Sequence, residues 1–392
     1  MNIDENDYLS FYYAGLNVIQ DLPNLYNSSL SPFPFRYLPL SAYFFTPFSF
    51  LGLRLGYFFF QLFNFLLNIL IIYLIYKIIQ IYKTSSNTSN FNYKLNKFRD
   101  LFDNAENESI LHQSAVFLIM LAQFMNYFLG QVNIIVTVFI LSSLYCFLKN
   151  DKKYDFLGGF LIGFGIQLKP VLIFILPFLI YLNYNKETKK FSFKIKNTLI
   201  RLMGSIILVI ISGSYFLIFP ETLKDFIDVN LVRGFTVIIN GGLEINPSFS
   251  LTRVVIIISN LFNLDINGFL VLIIITILIL GPIYFLYIRN SNQPSSLIDG
   301  YLIGILVMMI VYFDTWPHHL IVLVPFLIFF LLFHKNFEFY NILKYCHYLL
   351  AVLTLVFWGI FYLTYEIIPF NIGGLVLLML VYFLLITYYK KA

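Results

Sequence analysis

The chain has 392 residues, of which 59% are hydrophobic and 11% are charged, and its mean hydropathy is +0.81. A soluble protein could not cover so much apolar surface with polar groups, so the composition excludes that class and indicates a polytopic membrane protein. The net charge of +5 does not suggest nucleic-acid binding, because in membrane proteins the distribution of charge between the two sides carries the information.

The N-terminal segment contains no apolar run before residue 40 that could cross a bilayer, and we predict that residues 1–55 form an external loop with short surface helices. An aromatic patch follows Asp7 in the sequence DYLSFYYAG. Asp7 is either a solvated acid or helix cap, or a functional carboxylate. Arg36 and Tyr37 are either anchors at the membrane interface or ligands.

Eleven apolar segments follow in chain order: 56–79, 111–127, 131–149, 156–168, 170–183, 199–219, 268–289, 298–312, 319–333, 347–366 and 372–389. Several are shorter than the ~20 residues that a full span needs, so we expect these to be tilted, broken or buried among neighbours. The prediction is one all-α integral membrane domain over residues 1–392. It has helix groups at 56–219 and 268–389, separated by an external loop at 220–267.

The amides Gln131 and Asn133 lie in the sequence LGQVN, between the second and third apolar segments. Amides at a helix end usually satisfy backbone groups or bridge helices, although they can equally bind sugar hydroxyls. Both roles stay open at this point.

The apolar run at 156–183 is interrupted by Lys169 and Pro170, and it is either one long helix or two short passes. A lysine at the middle of a membrane helix costs about 2.5 to 3.5 kcal/mol. With two passes, 19 of the 25 Lys and Arg residues fall on one side, whereas a single pass destroys the asymmetry that the positive-inside rule requires. We therefore predict two passes with Lys169 at an external turn. There the lysine either snorkels or binds a phosphate at a helix N-terminus that Pro170 begins.

The external loop at 220–267 contains the polar residues Asn246, Ser248 and Arg253. They are either structural or ligands, and Arg253 is a second candidate for binding a phosphate. The sequence DTWPHH places His318 and His319 at an external helix start, where they either form an interfacial cap or bind a ligand. No other His, Cys or carboxylate lies at a matching spacing, so we predict no metal site.

Six short motifs, taken in order, resemble those of glycosyltransferase family 87. They are the Asp7 motif through Gly15, Arg36-Tyr37-x-Pro39, Gly130-Gln131-x-Asn133, Lys169-Pro170, Asn246-x-Ser248 with Arg253, and Trp316-x-His318-His319. The resemblance extends from about residue 7 to about residue 330. This family belongs to the GT-C superfamily and includes a polyprenyl-phosphate-mannose-dependent mannosyltransferase of phosphatidylinositol mannoside assembly.

The resemblance implies a GT-C-like bundle of about 11 transmembrane segments with extracytoplasmic loops. Family members usually have a further helix ahead of the Asp motif, whereas Met1 lies six residues before Asp7, so we expect either that the start is assigned wrongly or that this first helix is missing. The implied activity is inverting transfer of a sugar, which the family resemblance suggests is mannose, from a polyprenyl-phosphate donor to a lipid or glycan acceptor of the cell envelope. The implied active site faces the outside of the cell membrane.

The resemblance also implies roles for individual residues. Asp7 is expected to act as the catalytic base, and no cofactor or metal is expected besides the lipid-linked donor substrate. Expected to bind the donor phosphate or sugar are Lys169, Arg253, Arg36, His318, His319, Gln131, Asn133, Tyr37, Asn246 and Ser248. The alternative is a transporter or flippase that recognises a lipid or anionic solute with the same basic residues.

Overall fold

The computed structural model describes residues 6–26, 34–85, 105–185, 188–232, 248–264, 266–290, 295–364 and 371–391. Its α-helices, in chain order, are α1 Tyr8–Gln20, α2 Pro39–Phe50, α3 Leu53–Ser85, α4 Ala105–Ile119, α5 Leu121–Leu129, α6 Asn133–Phe147, α7 Lys152–Leu168, α8 Ile195–Ile218, α9 Pro220–Ile227, α10 Leu251–Leu261, α11 Gly268–Arg289, α12 Ser296–Val311, α13 Leu320–Phe333, α14 Tyr340–Thr364 and α15 Ile372–Lys391. Short 3₁₀ helices lie at Leu22–Asn24, Pro170–Leu179 and Pro317–His319, and one π-helical turn lies at Asp228–Val232.

The all-α membrane fold is confirmed, because each of the eleven predicted apolar segments contains a helix. Among the described residues, five helices are long and apolar enough to cross a membrane: Leu53–Lys83, Ser109–Leu129, Ile195–Ile218, Gly268–Arg289 and Ile372–Lys391. The bent pair Tyr340–Leu353 and Val356–Thr364 makes a sixth if it counts as one span. The remaining apolar helices are shorter, so the predicted count of eleven spans stays a prediction.

The short apolar helices α12 and α13 form the centre of the molecule. Every residue from Ile298 to Val311 and from Leu320 to Leu331 is buried. By contrast α11 exposes a broad apolar face, on which Ile277 and Leu278 are each 64% exposed. A helix that is apolar on all sides must be surrounded by protein or by lipid. Protein surrounds α12 and α13, whereas the outer face of α11 is suited to lipid.

The helical run is interrupted at Lys169, as the charge pattern predicts. Helix α7 ends at Leu168, and the N–H of Lys169 donates to the carbonyl of Gly165 at 2.8 Å. Pro170 then begins the 3₁₀ helix, because its ring fixes a helical φ and it has no N–H that needs a partner.

The predicted end of the fifth segment, at residue 183, is wrong. The helix ends at Leu179, and strand β1 (Leu182–Asn185) pairs antiparallel with strand β2 (Lys190–Phe193). The backbone N–H and C=O groups of this segment are therefore satisfied by a hairpin ladder rather than by a helix.

Helices α7 and α8 pack very closely. A Cβ atom on Gly159 would overlap the carbonyl oxygen of Arg201, and one on Gly204 would overlap the carbonyl oxygen of Phe156. Small residues at a helix–helix interface allow such backbone approach in membranes. This contact fixes the position of α7, and therefore of Lys169 at its end.

Candidate functional site

The start of α1 is docked on the turn that joins α5 to α6. The amide nitrogen of Asn6 donates to the carbonyl of Phe128 at 2.9 Å and to the hydroxyl of Tyr57 at 3.1 Å. The turn passes through Gly130, whose φ of +64° is left-handed. A Cβ at this position would lie 2.5 Å from the Asn6 amide oxygen, so the close approach requires glycine.

Two amides of this turn hold the two charged residues that the sequence singles out. The side chain of Gln131 donates to the carboxylate of Asp7. The ammonium of Lys169 donates to the amide oxygen of Asn133 at 2.5 Å. Because residues 131 and 133 are two positions apart, their Cα atoms are separated by at most about 7 Å. The turn therefore brings Asp7, from the N-terminal segment, and Lys169, from the end of α7, into one cluster.

The amide of Asn133 is itself oriented by a hydrogen bond. Its nitrogen donates to the amide oxygen of Asn126 at 3.1 Å, and the amide nitrogen of Asn126 donates to the carbonyl of Gln131 at 3.2 Å. The oxygen of Asn133 is thus left to accept from Lys169. The structure accordingly gives both Gln131 and Asn133 bridging contacts, and sugar binding by either amide stays a prediction.

Further charged and aromatic side chains join the cluster: Arg36 from the N-terminal segment, and Asp314 and Trp316 from the residues after α12. Arg36 forms an ion pair with Asp314, with 2.8 Å between Nη1 and Oδ2. The other oxygen of Asp314 accepts a hydrogen bond from the indole of Trp316 at 2.6 Å. Both Arg36 and Asp314 lie within electrostatic range of Asp7, and so does Tyr37. The side chains of Arg36 and Asp314 are partly exposed, at 35% and 21%.

The adjacent histidines are buried beside Lys169. The Nδ1 atom of His319 accepts from the N–H of Trp316 at 3.3 Å, which fixes the start of the 3₁₀ turn. The Nδ1 atom of His318 has no hydrogen-bond partner among the described residues. Both imidazoles lie within electrostatic range of the Lys169 ammonium. His318 therefore has hydrogen-bonding capacity next to a cation, whereas His319 serves as a cap.

The segment at 220–267, predicted to be an external loop, contains the helices α9 and α10 among its described residues, and its side of the membrane stays a prediction. Arg253 lies in the first turn of α10, is buried, and donates through Nε to the carbonyl of Phe313 at 3.2 Å. The hydroxyl of Ser248 accepts from the N–H of Thr315 at 3.0 Å and so joins this segment to the end of α12. A ligand role for Ser248 stays a prediction, and Asn246 lies outside the described residues.

The environment shifts the pKa values of the two central charges toward neutrality. Burial raises the pKa of Asp7 to about 6, and the nearby charge of Asp314 also raises it, while the hydrogen bond from Gln131 and the charge of Arg36 lower it. Burial lowers the pKa of Lys169 to about 7, against the opposing effect of Asp314. A carboxylate with a pKa near neutrality is suited to accept a proton and later release it.

Sequence reasoning did not place Asp314 among the site residues, although it stands in the DTWPHH motif. One available signal was its position directly after an apolar helix, where a carboxylate needs a cation such as Arg36. Asn126, which orients Asn133, carries no such signal, because it is one of several amides on apolar helices. Among the described residues, no group of three or more His, Cys, Asp or Glu side chains could hold a metal ion, and metal independence stays a prediction.

Comparison with known proteins found one family. The family model of glycosyltransferase family 87 matches residues 35–312, which is more than half of the chain. The match includes Arg36, Gln131, Asn133, Lys169 and Arg253, while Asp7 and the DTWPHH motif lie beyond its ends. A comparison with curated proteins and a comparison with solved structures each found no significant match.

Proposed function

Because the chain belongs to glycosyltransferase family 87, we propose that it transfers a sugar from a polyprenyl-phosphate donor to a lipid or glycan acceptor, with inversion at the anomeric carbon. The proposed sugar is mannose, and the proposed active site opens at the outer face of the cell membrane. The cluster of Asp7, Lys169, Arg36 and Asp314 is the proposed reaction centre.

The observation that carries this proposal is that two amides of a single turn bind one carboxylate, Asp7, and one cation, Lys169. Gln131 holds Asp7 and Asn133 holds Lys169. In the proposal, the two groups face the two sides of one reacting carbon. A direct displacement needs this arrangement, with a base beside the attacking hydroxyl and a cation beside the departing phosphate.

In the proposed step, the acceptor oxygen forms a bond to the anomeric carbon while the bond from that carbon to the phosphate oxygen breaks. The electron pair of the broken bond goes to the phosphate, and the acceptor proton goes to Asp7. Phosphate is a stable leaving group, so one carboxylate is enough, unlike the pair of carboxylates in glycosidases.

Lys169 is the proposed ligand of the leaving phosphate, because its bond to Asn133 uses one of three N–H donors. Arg36 is the second proposed ligand, since its guanidinium is partly exposed and offers donors besides the one that binds Asp314. His318 and Arg253 are proposed to contact the phosphate or the sugar from the side of α12.

The test uses purified full-length protein in lipid nanodiscs with a radiolabelled polyprenyl-phosphate mannose and a panel of lipid and glycan acceptors. The expected result is release of polyprenyl phosphate together with a labelled acceptor. The Asp7→Asn variant should lose this activity, whereas Asp21→Asn, an exposed carboxylate just after α1, should keep it. Movement of the intact donor across the bilayer without a new glycosidic bond would instead identify a flippase and overturn the proposal.

A further inference from the structure

We propose that Asp314 is the resident counter-ion of the phosphate-binding cations and that it drives release of the polyprenyl phosphate product. This inference rests on the proposed function, because it concerns the phosphate that the reaction leaves behind. It assigns Asp314 a role distinct from that of Asp7, although both carboxylates belong to the same cluster.

The two carboxylates differ in how they are held. Within the described residues, the side chain of Asp7 has a single hydrogen-bond donor, the neutral amide of Gln131. Asp314 instead uses one oxygen to bind the Arg36 guanidinium at 2.8 Å and the other to bind the Trp316 indole at 2.6 Å. Because both oxygens are engaged, Asp314 is poorly placed to take a proton from a substrate hydroxyl. Its geometry is that of an anion that pairs with a cation.

Asp314 also interacts electrostatically with both proposed phosphate ligands, Arg36 and Lys169. It forms the ion pair with Arg36, and it is the carboxylate whose charge acts on the buried ammonium of Lys169. Within the described part of the chain, no carboxylate forms an ion pair with Lys169 itself. The carboxylate of Asp314 therefore balances the cations that a phosphate would contact.

The charge of the phosphate changes during the reaction. The donor is a phosphodiester with one negative charge, whereas the product is a monoester that carries about −1.5 to −2 at pH 7. The same cations therefore attract the product more strongly than the donor, which favours product inhibition. Asp314 opposes this, because it repels the additional charge and offers Arg36 an alternative partner within 2.8 Å.

The partial exposure of the pair fits an exchange of partners. Arg36 and Asp314 are separated by 278 positions in the chain, and their side chains are 35% and 21% exposed, so the bond can open without unpacking a helix. Arg36 can turn toward the phosphate when the donor binds and return to Asp314 when the product leaves. Asp314 is on this account a positioning residue, since it acts through Arg36 rather than on the reacting atoms.

The test compares wild type with Asp314→Asn, which keeps an acceptor for the indole and removes the charge. We expect the inhibition constant of added polyprenyl phosphate to fall about tenfold, the size of one charge-assisted hydrogen bond. When each variant is measured at its own pH optimum, the steady-state rate should fall while the single-turnover rate is kept, so that a burst of product precedes a slow phase. Asp314→Glu keeps the charge and should resemble wild type in product inhibition.

A double variant tests the route through Arg36. In an Arg36→Gln background, the Asp314→Asn change should alter product inhibition less than it does in wild type, because the cation with which Asp314 pairs directly is gone and only its longer-range repulsion of the phosphate remains. Glu221→Gln, at an exposed site on α9, is the matched control and should behave as wild type. Should Asp314→Asn fail to insert, Asp314→Ser replaces it, since the serine hydroxyl can still accept from the indole.

An unchanged or raised inhibition constant in a folded Asp314→Asn protein, with a lowered single-turnover rate, would overturn the inference and assign Asp314 to the chemical step or to structure. This failure is distinguishable from failure of the proposed function. In the first case wild type still makes the glycosidic bond, whereas in the second wild type makes none and no variant can be compared.

Discussion

Helix α7 carries a buried charge cluster at each of its ends, and the two clusters are built in opposite ways. In its first turn, Asp155 accepts from Nε of Arg201 at 2.8 Å, and both side chains are 3% exposed. The Arg201 guanidinium also lies over the rings of Phe147 and Tyr181, at 4.5 Å and 4.0 Å from their centroids. Each charge in this cluster has an opposite charge or an aromatic face as its partner.

The other end of α7 holds Lys169, whose described hydrogen-bond partner is a neutral amide, that of Asn133. The nearby carboxylate of Asp7 is likewise held by an amide, that of Gln131. A buried charge that is kept unneutralised costs stability, and proteins retain such groups mainly where a ligand or a reaction uses them. The comparison teaches that burial of charge alone does not mark a site. What marks the site is a pair of buried charges whose direct hydrogen-bond partners are neutral amides.

The largest expected effect is on catalysis at the Asp7 end. Asp7→Asn keeps the size of the side chain and its contact to Gln131, but it removes the proton acceptor. We expect the single-turnover rate to fall by about 10²- to 10⁴-fold, the usual contribution of a general base. Thermal unfolding followed by intrinsic fluorescence should be unchanged. A variant with the wild-type rate would show that Asp7 is not the base.

The next effect is on stability at the Asp155 end. Arg201→Leu leaves the Asp155 carboxylate buried without its cation, and we expect a loss of about 3 to 5 kcal/mol in the free energy of unfolding. The activity per folded molecule should be retained, because Asp155, the partner of Arg201, lies about 21 Å from Lys169 along α7. Asp151→Asn, at the exposed start of the same helix, is the control and should cost no more than about 2 kcal/mol. A loss of activity in folded Arg201→Leu protein would contradict the assignment of the Asp155–Arg201 cluster to structure and not to catalysis.

A third prediction concerns donor binding at Lys169. Lys169→Gln removes the charge and keeps a donor for Asn133, so we expect the donor KM to rise about tenfold or more as one charge-assisted hydrogen bond is lost. Steady-state kinetics at several donor concentrations measure this. The same substitution should not lower stability, because it removes a buried charge; an unfolded variant would mean that Lys169 is part of the scaffold.

The smallest effect is a shift in the pH dependence of kcat/KM. Asp7 must be ionised, so the rate should fall as pH drops through its pKa of about 6, and Lys169 must be protonated, so the rate should fall as pH rises through its pKa of about 7. Asp314→Asn removes a charge that raises the pKa of Asp7, and the acidic limb should therefore move to lower pH. Tyr37 and Arg36, which also lie near Asp7, stay unchanged in this variant. An acidic limb at the same pH in Asp314→Asn and wild type would exclude an effect of the Asp314 charge on the pKa of Asp7.

The sequence permits prediction of the helices because apolar runs are properties of local segments. Charge counting over the whole chain predicts two passes that meet at Lys169. The helix bounds around Leu168 and Pro170 confirm the break, and the two passes stay a prediction. The end of the following helix at Leu179 was not predictable in this way, because the hairpin that follows depends on a partner strand whose residues lie 5 to 11 positions later in the chain.

The site is harder to predict than the fold because its contacts join distant segments. The sequence identifies Asp7, Gln131, Asn133 and Lys169 as polar groups in apolar surroundings, but not which amide holds which charge. That pairing depends on how α1 docks against the Gly130 turn. Asp314 was missed for the same reason, since its importance comes from Arg36, which lies 278 positions away.

The most direct test of the account is a cryo-EM structure with a non-hydrolysable phosphonate analogue of a polyprenyl-phosphate sugar. The account predicts phosphonate density in contact with the Lys169 ammonium and the Arg36 guanidinium, with the anomeric carbon between this group and the Asp7 carboxylate. Phosphonate density at the Asp155–Arg201 end of α7, or anywhere remote from Asp7, would contradict it.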